Sequence, residues 1–175
     1  MTAEAVLDFA DHAFLNFRHF DFDQDGRHGF RWVDSKKYIV QQPGATDAEI
    51  LRALIDSTAY RDNYIGGGIE PGGTRHGPYW LRNISVDSYR DISRDEAVAV
   101  VDRWLRAAGS VPDELMTDLI AEVFEPIGTA TAIYELRDLG EAAMSDLGLS
   151  NGEFHELVLL DRANASLRMI VASDD

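Results

Sequence analysis

The chain has no cysteine, which excludes disulfides, thiolate nucleophiles, Cys-ligated zinc and iron–sulfur clusters together. No stretch approaches the ~20 consecutive apolar residues that a membrane span needs. Residues Met1 to Phe14 carry acids where a secretory leader would carry a basic start and an apolar run. Positive charge is also scarce: 16 Lys and Arg stand against 31 Asp and Glu, for a formal charge of −15. Affinity for nucleic acid comes mainly from Lys and Arg replacing condensed counterions, so nucleic acid and anionic membrane are poor partners. A cytoplasmic protein is expected.

Catalytic motifs are missing as well. Gly66-Gly67-Gly68 and Pro71-Gly72-Gly73 are not followed by the Gly-Lys-Ser/Thr of a P-loop, and the dinucleotide fingerprint starting at Gly66 and Gly68 would need glycine where Pro71 stands. His155-Glu156 opens like a zincin helix, but its second histidine would fall at Leu159. No Gly-x-Ser-x-Gly elbow exists. The expectation is a non-enzymatic protein without cofactors.

Apolar residues make up 45% of the chain and aromatics 10%, enough for one globular core over residues 1–175. Val6, Ala10, Phe14 and Phe17 recur at helical spacing and predict a helix from about Thr2 to His19. Phe30 to Val40 predicts a strand or short hairpin. Thr46-Asp47-Ala48-Glu49 and Ser93-Arg94-Asp95-Glu96 are capping boxes that open two further helices. In the second of these Val98, Val101, Leu105 and Ala108 would face the core, and Gly109 ends it. Another helix starts near Pro112, with Leu115, Leu119, Ile120, Val123 and Phe124 as its buried stripe, and stops at Pro126 and Gly128. Trp80 to Tyr89 and Thr129 to Leu136 read as strands. Phe154 to Leu160 and Leu167 to Ala172 read as a hairpin that is apolar on both faces, hence central, with Asn164 taking the left-handed turn position. The sum is an α+β fold with a mainly antiparallel sheet, about four helices and a C-terminal hairpin.

Two regions stand out as interaction surfaces. Between Asp113 and Glu156 eleven acids, Glu122 and Glu125 among them, meet one base, Arg137. A single-sign field of that kind steers association with a basic partner. The glycine-rich segment from Tyr60 to Tyr79 reads as a long loop carrying Tyr60, Tyr64, Glu70, Arg75, His76, Tyr79 and the adjoining Trp80, and Tyr and Arg anchors dominate interface energetics. Asp21-Phe22-Asp23-Gln24-Asp25-Gly26 matches the first half of a calcium loop, yet Trp32 stands where the bidentate acid belongs. It reads first as an acidic turn. The alternative is a calcium module, or a metal-dependent enzyme built on His19, Asp21, Asp23 and Asp25.

In length, acidity, absence of motifs and long loop the chain resembles the immunity proteins (antitoxins) of secreted bacterial toxins. It is similar in size and character to the immunity factor for the tuberculosis necrotizing toxin, an NAD glycohydrolase. The use of 14 Arg against 2 Lys, and the closing run from Phe154-His-Glu-Leu-Val-Leu-Leu-Asp-Arg to Val171-Ala-Ser-Asp-Asp, have an actinobacterial look. The resemblance implies a one-to-one complex with a protein toxin whose active site is blocked. It transfers no residue role.

Overall fold

The computed structural model describes residues 4–22, 30–66, 68–107, 109–150 and 152–174. Six strands form one antiparallel sheet: β1 (Leu7–Asn16), β2 (Arg31–Val40), β5 (Tyr89–Ile92), β6 (Ala132–Leu136), β7 (Phe154–Asp161) and β8 (Ser166–Asp174), in the order β1-β2-β8-β7-β6-β5. A two-residue pair, β3 (Arg75–His76) with β4 (Tyr79–Trp80), stands apart from it. The fold is α+β, as the sequence predicts.

Both faces of the sheet are covered. On one, Val33, Ile133, Leu157, Leu159, Ile170 and Ala172 pack against Ala97, Val101, Trp104 and Leu105 of α2 (Arg94–Arg106) and against Leu115, Leu119, Val123 and Ile127 of the third helix. On the other, Tyr38, Val40, Val158, Leu160, Leu167 and Met169 pack against Ile50, Leu51, Leu54 and Ile55 of α1 (Asp47–Asp56). Double coverage is why β7 and β8 have no polar alternation. The hairpin is central, as expected, but the left-handed position at its turn belongs to Ala165 (φ 49°). Asn164 is held instead by the Asp161 carboxylate through its backbone N–H (3.1 Å) and side-chain amide (2.8 Å).

Both capping boxes form. Thr46 accepts from the Glu49 N–H at 3.2 Å while Glu49 accepts from the Thr46 N–H at 2.7 Å, and Ser93 and Glu96 do the same at 3.1 and 2.9 Å. The third helix runs as α3 (Asp113–Leu119), a π-turn (Ile120–Phe124) and α4 (Glu125–Thr129). Pro126 was expected to stop it. The chain passes through because the wide turn, in which the Glu125 N–H reaches back to the Ile120 carbonyl, makes room for a ring that lacks an N–H. Ile120 and Val98, expected inside, are exposed, and Trp104 and Ala97 are buried in their stead.

Three helices rather than four occur among the described residues, because the N-terminal segment is a strand. The β1–β2 ladder runs Leu7↔Val40, Phe9↔Tyr38, then Asp11↔Lys37 and His12↔Lys36, so Ala10 is an extra residue. A bulge of this kind restarts the alternation out of phase. Val6, Ala10 and Phe14 therefore recur at a helix-like spacing along an extended chain. Between Trp80 and Tyr89 the predicted strand is absent. Two 3₁₀ turns (Leu81–Asn83 and Val86–Ser88) occupy it, the second closed by Ser85 and Ser88 bonding each other's backbone, and the strand begins only at Tyr89. No helix among the described residues is long and apolar enough to cross a membrane.

Candidate functional site

The 60–79 segment is pinned to the sheet by two buried polar clusters. In the first, His76 is fully buried (0% exposed) and its ring stacks on Tyr60 at 3.6 Å between centroids. His76 Nδ1 meets the Tyr60 carbonyl at 2.6 Å and Nε2 meets Glu156 Oε1 of β7. Tyr89 donates to the other oxygen of Glu156, and the Tyr60 and Tyr89 hydroxyls meet at 2.6 Å. A carbonyl only accepts, so His76 Nδ1 carries its proton toward Tyr60, and with Glu156 Oε2 receiving the Tyr89 hydroxyl, Oε1 is left to pair with Nε2. Every polar atom is satisfied. Burial, together with the Glu156 charge, holds the Tyr60 and Tyr89 hydroxyls well above the ordinary tyrosine range.

The second cluster surrounds Lys36, one of only two lysines and also 0% exposed. Its three ammonium hydrogens match three acceptors: Asp34 Oδ1 at 2.9 Å, Asp62 Oδ2 at 3.0 Å and the Tyr64 hydroxyl at 3.0 Å. The outer oxygen of Asp34 meets His12 Nε2 at 2.5 Å. The bulge at Ala10 is what makes this contact possible, since it turns His12, Phe14 and Asn16 to the face that carries Asp34 and Lys36. Tyr64 sits at φ 61°, an uncommon conformation for a non-glycine residue. It is held there because Asp62 Oδ1 accepts the Tyr64 N–H and Asn63 Oδ1 accepts the Ile65 N–H, both at 2.8 Å. Burial, then the charges of Asp34 and Asp62, push the Tyr64 hydroxyl well up.

Above this cluster lies an open pocket of about 350 Å³, walled by Phe14, Trp32 and Tyr64, with His12, Asp34 and Asp62 at its polar side. Trp32 and Tyr64 stack at 5.3 Å, and Phe14 lies 5.8 Å from Trp32.

The predicted interface residues are scattered by this arrangement. Tyr60, His76 and Tyr79 were expected on a protruding loop and are buried, and the Tyr79 hydroxyl accepts the Leu139 N–H at 3.2 Å. Their aromatic rings build the core under the segment. Tyr64 is half-buried and walls the pocket. Arg75 forms a two-pronged pair with Asp146 (2.9 and 3.0 Å) over the Trp80 ring, and only Glu70 of the loop set is exposed. Glu122 accepts from Arg168 of β8 at 2.8 Å. Glu125 is exposed. Asp21 is exposed, Asp23 and Asp25 lie outside the described residues, and among the described residues no three His, Asp or Glu side chains gather to hold a metal.

Sequence reasoning missed His12, Asp34, Lys36, Asp62, Tyr89 and Glu156. The one available signal was a lysine at the centre of a strand-like run between Trp32, Tyr38 and Val40. Its partner at Asp62, and the partner of His76 eighty residues away at Glu156, exist only in the folded chain.

The acidic surface is real on the third helix. Asp113, Glu114, Asp118 and Glu125 are exposed, the last three along one side with exposed Ala121, and none has a cationic partner among the described residues. Several other acids are paired: Asp102 with Arg106, Glu135 with Arg90, Asp146 with Arg75, and Glu122, on the same helix, with Arg168. No family model, curated protein or solved structure matches this chain.

Proposed function

We propose that this chain is an inhibitory immunity protein that binds a protein toxin in the cytoplasm, one to one, and does no chemistry of its own. The observation that carries the reading is the exposed Glu114-Asp118-Glu125 side of the third helix, lacking bases, on a chain of charge −15. An unneutralised single-sign face raises the rate at which a basic surface finds it and sets the orientation of docking. The resemblance to toxin immunity proteins supplies the partner class, and an NAD glycohydrolase with a blocked active site is the member it favours. The buried clusters fit a binder, because they lock Tyr64 and the pocket rim before any partner arrives and so lower the ordering cost of association.

The test is charge reversal at Asp118→Lys with Glu125→Lys, measured as association rate to the toxin. A fall on the order of tenfold at low salt, shrinking as salt is raised, is expected. An unchanged rate would remove the acidic helix from the interface. Glu70→Lys, in the loop, should change the rate less, since it adds to no comparable cluster.

A further inference from the structure

The sheet has two unlike edges. β5 is four residues long, whereas β1 spans ten and pairs, among the described residues, with β2 alone. Long edges are normally blunted by lysine, proline or a covering segment. Leu7–Asn16 contains no Lys, Arg or Pro, and most of it is exposed, including Phe9 at 47% and Phe14 at 52%. Its protective devices are the bulge at Ala10 and two exposed acids, Asp8 and Asp11.

We propose that β1 is the seam of a two-fold dimer, pairing antiparallel with β1 of a second copy so that two six-stranded sheets join. The strand is complementary to itself. His12 stands opposite Lys36, Phe9 opposite Tyr38 and Phe14 opposite Asp34, so Phe9 and Phe14 each lie two pairing positions from His12, on opposite sides. A two-fold axis through His12 and perpendicular to the sheet therefore sets Phe9 of each copy against Phe14 of the other, on one face. It sets the bulge residues Ala10 and Asp11 against Ala13 on the opposite face, where the methyl groups of Ala10 and Ala13 leave room beside the exposed Asp11 carboxylate. Aromatic cross-strand pairs are among the stabilising ones. Phe9 already lies edge-on to Tyr38 at 5.5 Å and Phe14 beside Trp32, so each Phe–Phe pair would extend an existing aromatic row. The His12 N–H, held in the free chain by Asp11 Oδ1 at 2.8 Å, would pass to a carbonyl of the second copy.

The charge balance gives this dimer a signature. Two chains of −15 repel each other, so salt strengthens self-association, whereas it weakens docking of a basic protein on the acidic helix. Sedimentation velocity on the whole chain, between roughly 10 and 300 μM at roughly 50 and 500 mM salt, separates the two. The expected result is a shift from 19.5 kDa toward twice that mass as concentration and salt rise. Phe9→Lys and Phe14→Lys should each weaken association at least tenfold with the melting temperature little changed. Leu149→Lys, at the most exposed large apolar residue among those described, should not weaken it. Because the chain has no cysteine, His12→Cys provides a second readout: a short bismaleimide should link two copies at the axis. A monomer at every concentration and salt, a dimer indifferent to both lysine substitutions, or a dimer equally lost with Leu149→Lys overturns the proposal.

Discussion

Replacing Lys36 by methionine keeps most of the side chain's length and apolar stem but removes the ammonium that joins Asp34, Asp62 and Tyr64. Two carboxylates that are 2% and 3% exposed would then lose the ammonium between them, keeping only His12 Nε2 at Asp34 and the Tyr64 N–H at Asp62 as partners. Breaking a buried pair from one side costs about 3–5 kcal/mol, because the surviving charge is stranded in a poorly solvated site. With two stranded acids on one ammonium, the upper end of that range is expected. For a chain of this length each kcal/mol moves the melting temperature by about 2–4 °C, so Lys36→Met should lower it by roughly 10–15 °C. Urea denaturation and thermal melting followed by circular dichroism read the loss directly. The discriminating variant adds Asp34→Asn and Asp62→Asn to Lys36→Met, which removes all three charges together. Replacing a whole buried ion cluster is often close to neutral, so this triple variant should recover all but about 1–2 kcal/mol. A loss below about 1 kcal/mol for Lys36→Met, or a triple variant no more stable than the single one, would refute the reading of Lys36 as the buried clamp of the 60–79 segment.

Alkaline titration should unfold the protein steeply. Tyr60, Tyr64 and Tyr89 are held neutral in the folded state well above the ordinary range, mainly by burial, and Tyr38 is pushed up to about 12. Unfolding lets them ionise near pH 10, so stability is untouched below that value and falls above it as the unfolded chain sheds protons, by about 4 kcal/mol per pH unit for the first three together. A flat stability between pH 10 and 11 would contradict the burial of these hydroxyls. Gly77→Ala should cost more than about 1–3 kcal/mol, since Gly77 sits at φ 52° and an added Cβ would come 2.5 Å from the Phe154 ring. Thr46→Ala and Ser93→Ala should each cost about 1 kcal/mol and add in the double variant, as caps of separate helices do.

What could be read from the sequence divides along physical lines. The capping boxes at Thr46 and Ser93 and the β7–β8 hairpin are local devices whose signal lies within a few residues, and each formed where the pattern placed it. The N-terminal strand was illegible because one extra residue, Ala10, breaks its period and an exposed edge imposes no alternation to restore it. Aromatic and His density singled out the 60–79 segment, but residue type does not say which way a side chain faces. Tyr60 and His76 turn inward because Glu156 waits on β7, a fact fixed by tertiary pairing alone. The charge excess from Asp113 to Glu156 was visible as a count. Which acids are neutralised, such as Glu122 by Arg168, and which remain bare, such as Glu125, depends on how the third helix lies across β8.

The most direct measurement of the proposed role is co-expression with the protein encoded next to it, then size-exclusion of the pair and an NAD hydrolysis assay of that neighbour with and without this chain. The account predicts a stable complex in which the hydrolysis is abolished. Separate elution, with the neighbour's activity untouched or absent, would contradict it.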